Sequence, residues 1–246
     1  EEITWFMEVI CYGLSLPLSE HDTVKDCVNV YCEWLSALLP GEPKSCVPSP
    51  IVEESNRFAR KIIQHLFHLF VPRKGGAQET IGRQAVLCHR VLRRIQDVVQ
   101  QSKTIDRETW ETLLGFLLAI NDALLAPPTV KDDVGDQLSG RVLGVLYEIW
   151  LVACVKCFPS PSLWKTFREM AMNWRHRIGL VDQWNRVTMI LTRKLVLFMY
   201  GPDFLGGDIS IGSSKGGRDD DGYALLPEMS DECVAQTALL SGDSLA

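Results

Sequence analysis

The pair of cysteines in CVKC, Cys154 and Cys157, has the spacing of a zinc or redox site. Zinc needs a second pair of ligands, and no matching pair lies nearby. A dithiol redox centre needs a strand–helix–strand setting, which the apolar stretch around these cysteines does not provide. The reading left is two small residues at the end of a buried helix. His65 and His68, in HLFH, stand three apart and could face one ion, but no glutamate base lies between them and no third ligand is apparent. Cys88 and His89 are adjacent, so on a helix they point to different faces. There is no phosphate-binding G-x-x-x-x-G-K-S/T and no dinucleotide G-x-G-x-x-G after a strand, and the G-x-S-x-G string GSSKG, residues 212–216, falls in a Gly-rich loop with no strand before it, so it is no nucleophile elbow. The carboxylates Asp132-Asp133 and Asp219 to Asp221 fall in loops, where solvation accounts for them. The expectation is no catalytic residue, no metal and no cofactor.

A surface is the better candidate. Seven tryptophans are many for 246 residues. Trp164, Trp174 and Trp184 fall among Arg168, Arg175, Arg177 and Arg186, and tryptophan and arginine are enriched where interfaces concentrate their binding energy. Two readings stay open: indoles filling seams between helices, or a partner surface made of Trp164, Arg168, Trp174, Arg175, Arg177 and Arg186. Charge is blocked along the chain. Lys and Arg minus Asp and Glu gives −6 for residues 1–50, +6 for 51–103, −4 for 104–161, +5 for 162–200 and −7 for 201–246. The blocks either neutralise one another across the fold or present basic faces to an acidic partner. A pI near 5.4 argues against nucleic acid as that partner.

The elements that must carry these residues are helices. Apolar residues recur at helical spacing over 2–16 (Trp5, Val9, Tyr12 or Gly13), 23–39 after Ser19 and Asp22 as cap candidates, 52–70, 78–101, 105–125, 133–157, 161–176 and 178–200. Prolines or glycines mark most of the breaks, and Ser160 followed by Pro161 is a helix start. The run Val142 to Val155 is too short to span a bilayer and holds Glu148, so it reads as a buried helix, and no membrane span is expected. Eight irregularly spaced cysteines fit reduced, core-filling thiols and a cytoplasmic location.

Eight helices pair in sequence as four hairpins. The expected fold is all-α: stacked antiparallel helical hairpins in a HEAT/armadillo-like α-solenoid, with an irregular helical bundle as the alternative. Residues 1–200 form the helical repeat domain. Residues 201–222 are a Gly- and Asp-rich loop, and 223–246 are a short helix and tail packing on the same domain.

Several long strings resemble one family: WFMEVICYGLSLPL from Trp5, HLFVPR from His68, RETWETLLGFLLAINDALLAPPTV from Arg107, CFPSPSLWKTFREMAMNWRH from Cys157, MYGPDF from Met199 and LLPEMSDECVAQT from Leu225. They are similar to the N-terminal region of the beta subunits of Ral GTPase-activating protein complexes. The resemblance covers most of residues 3–237 and lapses after Thr237. It implies a non-catalytic scaffold subunit whose alpha partner supplies the catalytic asparagine, a residue with no counterpart here; Asn121 and Asn173 lie in helices. It also implies two partners, the catalytic alpha subunit and a Ras-like small GTPase of the κB-Ras kind. The alternative it leaves is a purely structural domain for assembly with the alpha subunit.

Overall fold

The structure is a computed structural model that describes residues 2–41, 46–72, 78–127 and 134–201. Every regular element among them is helical. They run α1 (Glu2–Ser15), a 3-10 turn (Leu18–Glu20), α2 (His21–Trp34) with a 3-10 extension (Leu35–Leu38), α3 (Ser49–Glu53), α4 (Ser55–Phe70), α5 (Gln78–Gln101), α6 (Arg107–Leu125), α7 (Val134–Lys156), α8 (Pro161–Asn173) and α9 (Ile178–Tyr200).

Local chemistry explains most boundaries. Asp106 caps α6 by accepting the Thr109 N–H at 2.7 Å, and Ser160 caps α8 by accepting from Leu163, with Pro161 in the first turn. Phe158 closes α7 in the left-handed region (φ 56°), its N–H donating to the Ala153 carbonyl at 2.9 Å. Two expectations are corrected. Ser19 does not cap α2: it lies inside the 3-10 turn, and the residue before the helix, Glu20, makes no side-chain cap. The third predicted helix is two, because the chain breaks at Glu54 between α3 and α4. The segments expected at 201–222 and 223–246 lie, past Gly201, outside the described residues.

Packing follows a simple order. Contacts run α1–α4–α6–α8 along one file and α2–α5–α7–α9 along another, with α1–α2, α4–α5 and α6–α7 joined across. The core is continuous, and α6 and α7 supply much of it. Trp110, Leu113, Leu117, Ile120 and Leu124 of α6 are all buried, as is nearly every residue of α7 from Val142 to Cys154. α7 is long and apolar enough to cross a membrane, yet 78% of its most apolar stretch is buried inside the fold, against α5, α6 and α9. Its Glu148 carboxylate accepts from Gln96 and Gln100 of α5, and Arg141 donates to Gln96, so a buried polar network crosses the α5–α7 seam.

α1 corrects the predicted stripe. Trp5, Val9 and Tyr12 are exposed, Gly13 alone of the predicted stripe is buried, and the face turned inward is Ile3, Met7, Ile10 and Leu14. The Met7 carbonyl accepts from the Tyr31 hydroxyl of α2 at 2.9 Å, and Lys61 of α4 reaches Glu8 at 2.6 Å. Those two contacts hold α1 in the orientation that turns Trp5 outward.

Candidate partner surface

The residues with chemical potential settle into structural roles. Cys154 is buried in α7, and Cys157 sits half-buried just past its end, its thiol pushed up to about 11 by burial. Burial likewise raises Cys11, Cys27 and, to about 11, Cys32, so none of these is a primed thiolate nucleophile. His65 Nδ1 lies 2.6 Å from the Tyr31 hydroxyl, and burial holds its imidazole below the ordinary histidine value. The hydroxyl donates to Met7, so the imidazole N–H donates to the hydroxyl. His68, one turn on, is exposed. Among the described residues no three His, Cys, Asp or Glu side chains are grouped to hold a metal. Asn121 is fully buried, and its amide donates to the Leu117 carbonyl of its own helix at 2.8 Å. An apolar gap of about 10 Å³ lined by Leu35, Ile63, Ile95 and Leu113 has room for no ligand larger than water.

The Trp/Arg group of α8 and α9 divides into inward and outward residues. Trp164 is half-buried, its ring meeting Trp150 of α7 edge-on at 5.2 Å, and Phe167 packs on the same Trp150 at 4.6 Å. Trp174, expected at the partner surface, is 0% exposed. Its indole N–H donates to Asp122 Oδ1 of α6 at 2.9 Å, so it fills a seam and cannot touch a partner in this conformation. Arg177 is likewise turned inward. It pairs with Asp136 at 2.7 Å and donates to the Leu125 carbonyl, the last of α6. Trp174 and Arg177 together fasten the α8–α9 corner to α6 and α7.

Arg168, Arg175 and Arg186 remain exposed. So do Lys165 and Met172 of α8, and Trp184 of α9 at 55%, its ring 6.3 Å from Tyr147. Lys165, Arg168 and Met172 share the outward side of α8, while on α9 Trp184 turns toward Tyr147 and Arg186, two residues on, stands on a different side of the helix. Sequence reasoning missed a second apolar area, Trp5, Phe6, Val9 and Tyr12 of α1. The signal was present: α1 is apolar on more sides than one, so a second face had to be left over.

Residues 80–202 match the RALGAPB N-terminal domain family. The chain is 48% identical over 237 residues to the Ral GTPase-activating protein subunit beta of Homo sapiens, covering 96% of this chain and 15% of that protein. The Mus musculus protein of the same name matches equally, at 48% with the same coverage. The Ral GTPase-activating protein subunit alpha-2 of Mus musculus is 29% identical over 101 residues, 40% of this chain and 5% of that protein. No solved structure matches.

Proposed function

Because the chain belongs to the RALGAPB N-terminal domain family, we propose that it is a non-catalytic scaffold of a Ral GTPase-activating complex that binds a partner protein through α8 and α9. The observation that carries this reading is the exposed combination of Lys165, Arg168, Arg175 and Arg186 with Met172 and Trp184. Basic side chains steer an acidic protein surface, and a flat aromatic gives it something to bury. The partner proposed is a Ras-like small GTPase of the κB-Ras kind. The two files of helices support the HEAT-like stack as the architecture, since each hairpin touches chiefly its neighbours. The setting proposed is the cytoplasm.

Titration calorimetry of the chain with a purified κB-Ras-type GTPase tests the reading. Binding weakened by Arg168→Glu and Arg175→Glu together is the expected result, and no heat at tens of micromolar (~6–7 kcal/mol of affinity unrealised) overturns it. A single-turnover assay with Ral and this chain alone is expected to show no acceleration of GTP hydrolysis.

A second reading is assembly with the catalytic alpha subunit. The similarity of part of this chain to an alpha subunit favours it, since related helical stacks can continue one another's packing. Retention of alpha-subunit fragments by a chain that ignores the GTPase selects this reading over the first.

A further inference from the structure

α1 opens one file of helices and α9 closes the other, and each shows solvent an apolar face. α1 packs on α2 and α4 through Ile3, Met7, Ile10 and Leu14. On its far side Trp5, Val9 and Tyr12 follow one another at i, i+4 and i+7, all exposed, with Phe6 next to them. α9 packs chiefly on α7 through Leu180, Val187 and Leu191. Ile178, Val181, Met189 and Met199 are exposed, and at 3.6 residues per turn they fall within about 80° of one another on the side away from that core. Asn185 and Thr192 share this side, and Trp184 lies off it. A helical stack that ends in water carries polar outer faces on its terminal units. Both end helices here are apolar outside as well as inside, the pattern of helices that are covered.

The two faces differ in charge. Glu2 and Glu8 flank the α1 strip, Glu8 also reaching Lys61, and Asp22 and Asp26 are exposed on the neighbouring α2. Arg186 and Arg193 line one edge of the α9 strip, with Asp182 one turn before Arg186. The sequence blocks that hold the two faces carry −6 (residues 1–50) and +5 (residues 162–200). An aromatic side chain offers ~200 Å², and Trp5, Phe6 and Tyr12 are 63%, 52% and 71% exposed, so together they present roughly 370 Å². A contact covering one such face on each side buries on the order of 800 Å², the size of a weak, transient interface. At that size charge decides the pairing. α1 against α1 sets Glu2 and Glu8 near their own copies, and α9 against α9 does the same for Arg186 and Arg193. α1 against α9 joins opposite signs.

We infer that copies of this chain associate head to tail, the outward face of α1 in one copy lying on the outward face of α9 in the next. The two faces are different surfaces, so the contact does not close on itself as a two-fold dimer does, and every pair keeps one face of each kind open for a further copy. The small area sets the dissociation constant on the order of 100 μM. The inference does not depend on which protein binds α8.

Sedimentation equilibrium of the chain from ~5 to ~500 μM, a range that brackets this constant, tests it. The expected result is a weight-average mass that rises with concentration beyond that of a dimer, and falls back when salt is raised from ~0.05 to ~0.5 M. Two variants identify the faces: Trp5→Glu with Tyr12→Glu, and Met189→Glu with Met199→Glu. All four residues are exposed, so helical circular dichroism should not change. Each variant alone is expected to stay monomeric. Mixed in equal amounts at the highest concentration, they are expected to form a one-to-one dimer and nothing larger, because a single intact pair of faces remains. A mass that stays at the monomer throughout overturns the inference, as does one that levels off at the dimer. A variant that dimerises on its own, or a mixture that stays monomeric, overturns it too.

Discussion

Trp174→Phe separates a seam-filling indole from a partner-facing one. Phenylalanine keeps an aromatic ring at the site but deletes the N–H that reaches Asp122 Oδ1 at 2.9 Å. A hydrogen bond to a charged acceptor contributes about 1.5–3 kcal/mol, and Asp122 is only half-buried, so water recovers part of it and the low end applies. The smaller ring leaves a void of roughly 40 Å³ in a fully buried site, which at ~24 cal/mol per Å³ costs about 1 kcal/mol. Together the substitution should cost about 2–3 kcal/mol and lower the Tm by roughly 4–12 °C for a domain of this size. Urea denaturation followed by far-ultraviolet circular dichroism should show a lower midpoint with an unchanged slope. A cycle with Asp122→Ala should return a coupling of about 1–2 kcal/mol, since the two side chains share one bond. Affinity for a partner, measured well below the transition, should stay within about threefold (~0.6 kcal/mol). A change in stability under ~0.5 kcal/mol, or lost affinity at full stability, would refute the assignment of Trp174 to the seam.

The other predictions concern surface, charge and packing. Trp184→Ala should leave the urea midpoint nearly unchanged and weaken partner binding about tenfold in calorimetry, because its ring is mostly in solvent. Burial holds His65 below its usual value, so the unfolded chain takes up its proton first; stability is complete above the ordinary histidine range and declines as pH falls from ~6.5 toward the lowered folded value. His65→Gln should flatten that decline in urea midpoints taken between pH 7 and 5, and the difference isolates His65 from His89, which burial lowers likewise. Lys156 donates to the Val99 and Ser102 carbonyls at the end of α5, at 2.8 and 3.1 Å, so Lys156→Met should cost about 1–2 kcal/mol by calorimetric melting. A Cβ on Gly13 would overlap Cys27 Sγ, so Gly13→Ala should destabilise by about 1 kcal/mol despite its better helix propensity; in a Cys27→Ala background the sign should reverse.

The sequence by itself determined the helices and most of their inward faces. The α5 stripe from Ala85 through Cys88, Val91 and Ile95 to Val98 is buried throughout, and so is that of α6, because in those central helices one apolar stripe faces a polar one and only one burial is possible. Ser160-Pro161 marked the start of α8 for equally local reasons. The sequence did not decide between two apolar stripes on one helix. On α1, Trp5, Val9 and Tyr12 compete with Met7 and Leu14. On α9, Val181, Trp184 and Phe198 are exposed, while Val187, Leu191 and Leu195 turn to the core. Periodicity measures how apolar a face is, and says nothing of what stands opposite it. Only the docking of α2 and α4 on α1, and of α7 on α9, chose the covered face. The same limit holds for the Trp/Arg cluster. Trp174 and Trp184 have the same chemistry in sequence, and only the position of Asp122 on another helix turned one inward and left the other to solvent.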